Sequence, residues 1–357
     1  MTPRAARTKV LPAPTKLLPA VLALAAFALL LLLPGARAAG STVVWAAPTH
    51  PDQFRFTATM GRELVFELTA SSSKSGGKIV IEPVGGLPAG AWVGSSSDGN
   101  KATATFRWAP QEPGEYQLGF VAKTGGASAP VRTYVIRVNP TYPYAYTLTD
   151  PKLAHWAPLL RDAVVRAEPR PSAKVVTKLG MNTIDLETRQ IVLVLDALDR
   201  SRGDTWYHVR LPILPNNSTG WIKARDLGEL YQVDTHLYID RTKLTATLKR
   251  NGETIFTTRV GVGKATTPTP RGQFYIRGKL THFGNPFYGP IVFGTSARST
   301  SNAPEMQVYG DGFVGVHGTS LPRLIPGRPS HGCIRMKNEA IVQLAKLMQV
   351  GTPVTIT

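Results

Sequence analysis

The stretch H-G-T-S-L-P-R-L-I-P-G-R-P-S-H-G-C-I-R-M, from His317 to Met336, holds Cys333, the only cysteine of the 357-residue chain, and two histidines, His317 and His331. With no second cysteine to pair with, the thiol is either a small buried apolar group or a reactive one. Its neighbours separate these readings. His331-Gly332 precedes it, Arg335 follows it, and Gly327 lies upstream among Pro322, Pro326 and Pro329. A packed core segment would be apolar there; this composition describes a shaped loop. Downstream, Asn338 is a good N-cap, and Ile341, Leu344, Ala345 and Met348 share one helical face. Gly351 and Pro353 stop that helix before a closing strand from Val354. The thiol is therefore expected on a loop just before a helix.

A free thiol has a pKa near about 8.5, so little of it is thiolate at neutral pH, and a catalytic role calls for a lower value. Two units down require about 2.7 kcal/mol, within reach of a nearby imidazolium and aligned amides. His317 and His331 are the candidate partners. His331 is local, at i−2, and is read as shaping the turn. His317 has to fold back across the cleft, which is the more usual nucleophile–base geometry. Gly332 lets a substrate carbonyl approach closely, so backbone N–H groups around Gly332 and Cys333 are candidates for an oxyanion hole. Arg335 reads equally as a loop brace and as a contact for substrate carboxylate. A zinc site built from His317, His331 and Cys333 lacks a fourth ligand at sensible spacing. No metal and no cofactor are expected.

Working outward, the segment from about Val233 to Thr357 reads as one β-rich domain. His236–Asp240 and the residues from Lys243 to Phe256 read as strands, with Asn251-Gly252 supplying the positive φ of a tight hairpin. Gly261, Gly263 and Lys264 do not make a phosphate-binding loop, because the full spacing is missing and the following prolines forbid a helix. Between Leu280 and Gly310 a Gly/Pro/aromatic segment includes Tyr288 and Tyr309, read as cleft wall, with ordinary loop packing as the alternative.

Residues 41–138 alternate short strands with Ser/Gly turns, the pattern of a β-sandwich. Residues 139–152 form a Pro/Tyr linker. Residues 153–231 form a second small β domain, in which Trp206 and Trp221 line a groove or pack a core. At the N-terminus, Arg4, Arg7, Lys9 and Lys16 precede an apolar run from Leu17 to Leu33 and the triplet Ala36-Arg37-Ala38. That order is expected of a signal peptide over residues 1–38, with an uncleaved anchor, and hence a membrane contact, as the alternative. Either way the chain is expected to be exported to the periplasm or cell envelope, where an unpaired cysteine is conspicuous. The formal charge of +18 comes without a nucleic-acid-binding motif, so a basic surface facing an anionic polymer or membrane is expected instead.

Val314–Gly318 (V-G-V-H-G), Ser330–Met336 (S-H-G-C-I-R-M), Gly351–Val354 (G-T-P-V) and the G-K and P-T-P-x-G elements of residues 263–272 together resemble the YkuD-type L,D-transpeptidase family. Residues 153–231 resemble bacterial SH3-like barrels, which bind wall peptides or position a neighbouring catalytic domain. The first module resembles cadherin-like, immunoglobulin-fold domains. The resulting fold class is mainly β and multidomain: an Ig-like sandwich, an SH3-like barrel and a catalytic domain with one clear helix. The resemblance implies that Cys333 attacks a peptidoglycan stem tetrapeptide, releases D-alanine and passes the acyl group to an acceptor amine, cross-linking the cell wall. It further implies that His317 is the base, oriented by the Gly318 carbonyl. Backbone amides at His331, Gly332 and Cys333 would hold the oxyanion, and Ser330 and Arg335 belong to the substrate-facing set. Hydrolysis of wall peptides or protein–wall bonds, and a non-catalytic wall-binding or adhesive role, are the alternatives.

Overall fold

The computed structural model describes residues 42–73, 77–183, 188–281, 285–300 and 312–357. The N-terminal basic and apolar segment and Tyr309 lie outside the described residues. The described chain is mainly strand, with one α-helix, Asn338–Leu347, as short β-branched runs between Gly and Pro turns dictate. No helix among the described residues is long and apolar enough to cross a membrane. Contacts divide the chain into two units, one ending at Tyr142 and one running from Pro143 to Thr357.

In the first unit, one sheet orders Val43–Ala46, Leu64–Ser72, Lys101–Trp108 and Trp92–Asp98. A second orders Phe54–Thr59, Arg132–Asn139, Gly114–Thr124 and Val80–Val84. Alternation along Lys101–Trp108 sends Ala102, Ala104, Phe106 and Trp108 into a core that also receives Ile81, Phe120 and Ile136 from the other sheet. Trp108 meets Tyr116 edge to face at 4.7 Å, and the Tyr116 hydroxyl donates to the Glu112 carbonyl.

The second unit contains an eight-stranded and a ten-stranded sheet. The long strand Ile191–Asp199 centres the smaller one, pairing with Ala154–Pro158 and Thr205–Arg210. It also pairs with Tyr144–Thr147, so part of the stretch read as a linker is a strand. The physical reason is its period of two: Tyr144 and Tyr146 share a face, their rings stacked at 5.3 Å. Trp206 is buried in this module, whereas Trp221 stays half-buried with His208 stacked on it at 4.9 Å.

The two sheets share a core. Tyr275 of the strand Gly272–Thr281 is fully buried among Ala154, Ile191, Leu193 and Val233, and its hydroxyl donates to the Ile191 carbonyl at 3.0 Å. Asn216 acts as a side-chain bridge across the join. Its Nδ2 donates to the Arg298 carbonyl at 2.7 Å, and its Oδ1 accepts the Arg298 N–H at 2.9 Å.

The larger sheet begins with the strands Thr235–Asp240, Thr245–Arg250 and Glu253–Arg259, the last two joined by Asn251 and Gly252 at φ 51° and 89°. Its middle runs through Pro353–Ile356, Gly272–Thr281, Ile291–Arg298 and Phe313–His317. Its far end is made of Ile334–Arg335, Gly261–Gly263 and Gly327–Ser330. The helix buries Ile341 and Leu344 against this sheet, with Met348 just beyond its end. At about 1.5–3 kcal/mol each, those side chains outweigh the marginal stability of a ten-residue helix alone. The cap differs from expectation. Lys337 holds the N-cap position without a side-chain bond, and Asn338 is the first helical residue. Asn338 Oδ1 instead accepts the Thr319 N–H at 2.8 Å, a main-chain donor on an irregular loop that has no strand partner to satisfy it.

Candidate active site

Phe313–His317 and Ile334–Arg335 run parallel, with Val316 opposite Ile334 and His317 opposite Arg335. Val316 and Ile334 point into the core, fully buried. Alternation then puts His317 and Arg335 on the opposite face, with Gly315 and Cys333 one step earlier on the same side. The Gly315 N–H donates to Cys333 Sγ at 3.4 Å, which seats the sulfur against the histidine strand. The fold thus sets the strand that carries His317 beside the segment that carries Cys333, sixteen residues on in sequence.

His317 is 1% exposed. Its Nδ1 lies 2.6 Å from the Gly318 carbonyl. A carbonyl only accepts, so Nδ1 carries the proton and Nε2 keeps its lone pair. Tyr288 packs its ring edge on the imidazole at 4.9 Å, with Phe287 at 6.4 Å; Tyr288 is therefore a wall of the histidine. Gly318 has no room for a side chain, since a Cβ there would collide with Asn338 Oδ1.

Burial pushes the His317 imidazole down to about 4, with the nearby Arg335 charge adding to the effect and the Gly318 and Tyr288 backbone opposing it. Cys333 keeps part of its surface open, yet the protein around it pushes the thiol above its ordinary range, against the weaker pull of the Gly315 N–H and Arg335. This corrects the expectation of a lowered thiol. One amide and one guanidinium do not offset desolvation of an anion, so the resting pair is a neutral thiol beside a neutral imidazole.

The loop before the thiol is braced internally. Ser330 is fully buried; its hydroxyl donates to the Cys333 carbonyl at 2.6 Å and accepts the Gly332 N–H at 3.2 Å. The Gly332 amide, expected to face substrate, is thus held by Ser330, because a buried N–H needs an acceptor. Gly332 has φ 126°, a conformation that side chains resist. Its carbonyl accepts from Thr269 Oγ1 at 2.7 Å, and Thr269 Oγ1 in turn accepts the Gly263 N–H at 2.9 Å. His331 Nε2 lies 3.0 Å from Lys264 Nζ; an ammonium only donates, so this nitrogen of His331 is an acceptor turned to Lys264. Arg335 is 5% exposed, its guanidinium over the Phe287 ring at 4.4 Å. Among the described residues no three His, Cys, Asp or Glu side chains converge as metal ligands. Thr269, Gly315 and Asn338 are the site residues that motif reading passed over. Thr269 and Gly315 sit inside the quoted P-T-P and V-G-V-H-G elements, which was the available signal.

The YkuD profile, described as the L,D-transpeptidase catalytic domain, matches residues 234–356. The L,D-transpeptidase YkuD of Bacillus subtilis (strain 168) is 35% identical over 130 residues, covering 36% of this chain and 70% of that protein. YqjB of the same strain, also named an L,D-transpeptidase, is 31% identical, covering 28% of this chain and 57% of YqjB. A crystal structure of an Enterococcus faecium L,D-transpeptidase mutant shares 25% identity, covers 35% of this chain and 50% of that one, and superposes with a TM-score of 0.27. Every residue placed above around Cys333 falls inside the matched segment.

Proposed function

This chain belongs to the YkuD-type L,D-transpeptidase family, and on that premise we propose that it is exported and cross-links peptidoglycan stem peptides through a Cys333 thioester. The observation that carries this reading is the shared strand face. His317, with Nδ1 given to the Gly318 carbonyl, lies on the side of the sheet that holds Cys333 Sγ.

In the first half-reaction Sγ attacks the carbonyl between the L and D centres as its proton passes to His317 Nε2. The C–N bond then breaks, and His317 returns the proton to the departing D-alanine amine. In the second, an acceptor amine attacks the thioester carbon, the C–S bond breaks, and its proton passes through His317 back to sulfur. A neutral starting pair suits this sequence, because the charges form only as the bond forms. The amides of His331 and Cys333 are assigned to the oxyanion, Gly332 being held by Ser330. Arg335, buried beside His317, orients the histidine and supplies positive charge to a carboxylate near the scissile bond. The SH3-like module is assigned a role in holding wall peptide near the cleft.

The test uses residues 39–357 and a Cys333→Ala variant with diaminopimelate-type muropeptides, analysed by mass spectrometry. Cys333-dependent dimers support transfer. Loss of D-alanine without dimers replaces transfer by hydrolysis. No Cys333-dependent change removes the enzymatic reading.

A further inference from the structure

Four cations lie on or beside the elements that brace the thiol loop. Lys264 is exposed; its N–H donates to the Ser330 carbonyl at 2.9 Å, and its ammonium docks on His331, two residues before the thiol. The strand Gly261–Gly263 pairs in parallel with Gly327–Ser330, which sets Arg328 beside it. Arg328 Nη2 donates to the Arg241 carbonyl at 2.9 Å. Arg241 in turn grips the main-chain oxygens of Thr269 and Thr357. Thr269 is the residue whose hydroxyl holds the Gly332 carbonyl, so the arginines connect to the thiol loop through one side chain. Arg271 stands two residues along, exposed like Arg328.

Among the described residues, no ion pair with an acidic side chain involves any of the four. The neighbouring carboxylate, Asp240, accepts from the Thr242 and Lys243 backbone and faces Lys243. Like charges left together without an acid cost free energy unless an anion joins them. Arg241 shows that cost: burial, with the charges of Arg271 and Arg328, holds its pKa below the usual guanidinium range.

We propose that Lys264, Arg271 and Arg328 dock the free carboxylates of the acceptor stem peptide, so that the enzyme selects acceptors with unblocked carboxylates over amidated ones. The proposal rests on the transpeptidase reading. Two peptides have to meet at one sulfur. The Arg335 side, with half-buried Phe287 and Tyr288, presents one buried cation among aromatic rings and is assigned to the acylating stem. The Lys264 side is an open cationic surface suited to a partner that arrives after acylation. Exposed charges of this kind act mainly on encounter and selection and are screened by salt.

The test is a double variant, Arg271→Gln and Arg328→Gln, made in the full chain and leaving Arg241 and Lys264 in place because they brace Thr269 and His331. With saturating donor, the variant is expected to raise the KM for a free-carboxylate acceptor on the order of tenfold. The KM for the amidated acceptor, and the rate of Cys333 alkylation by iodoacetamide, are expected to stay the same. Titration of a soluble tripeptide acceptor into Cys333→Ala protein gives the same comparison without turnover, so it stands apart from the transpeptidase reading. Weaker binding of the free-carboxylate tripeptide alone supports the proposal. Equal effects on both forms, or none, overturn it.

Discussion

At the scale of single residues, the site is an uncharged pair held ready by backbone groups. Because burial pushes His317 to about 4, the proposed mechanism, with His317 as a neutral base, predicts that kcat/KM stays level from neutral pH downward and falls only as pH approaches 4. A pH–rate profile checks this, and an acid limb near the ordinary histidine value of about 6.5 would contradict it. Ser330→Ala removes a fully buried hydroxyl and leaves the Cys333 carbonyl and the Gly332 N–H without that partner. It should cost about 1–3 kcal/mol in denaturant unfolding. Cys333, His317 and the Gly318 carbonyl were legible because the V-G-V-H-G and S-H-G-C elements carry all three. The roles of Ser330, His331 and Gly332 were not. Each is decided by partners on another part of the loop or sixty-odd residues away, Lys264 and Thr269 among them, and local sequence does not encode that pairing.

At the scale of elements, the helix Asn338–Leu347 positions the histidine loop as well as covering the sheet. The helix itself was readable from the spacing of Ile341, Leu344 and Met348. The true use of Asn338 was not, since a capping residue and a tertiary acceptor look the same in sequence. Asn338→Ala should lower stability by about 1 kcal/mol and reduce kcat, because Thr319 loses its acceptor and Gly318 its packing partner. Asn338→Asp, which keeps an acceptor oxygen, should restore most of the activity. Equal loss in both variants would contradict the acceptor role, because Asp keeps both the oxygen and the volume of the side chain. The Asn251-Gly252 hairpin was fully legible, its two positive φ values being a local requirement.

At the scale of the molecule, residues 143–357 behave as one unit because the smaller sheet and the catalytic sheet share the Tyr275 core and the Asn216 bridge. Composition and turn spacing showed two β modules there, but a shared core between them depends on long-range packing that short-period patterns do not report. Tyr275→Phe leaves the buried Ile191 carbonyl without its donor and should cost about 1–3 kcal/mol, lowering Tm of the whole unit in one transition. Stability should also depend on pH. His317 and half-buried His236 are both held near 4 by burial, His236 with help from Lys249. Below about 6.5 the unfolded chain takes up protons that the folded chain refuses, so stability is fully present above that pH and is lost as pH falls toward 4. Thermal unfolding across that range, compared with His236→Gln, checks the sign. The central claim concerns the covalent step, and intact-protein mass spectrometry with a tetrapeptide donor and no acceptor tests it most directly. An adduct with the mass of the donor less D-alanine, mapped to Cys333 and absent in Cys333→Ala, is the predicted result; D-alanine release that persists in Cys333→Ala, with no adduct on the wild-type protein, would contradict it.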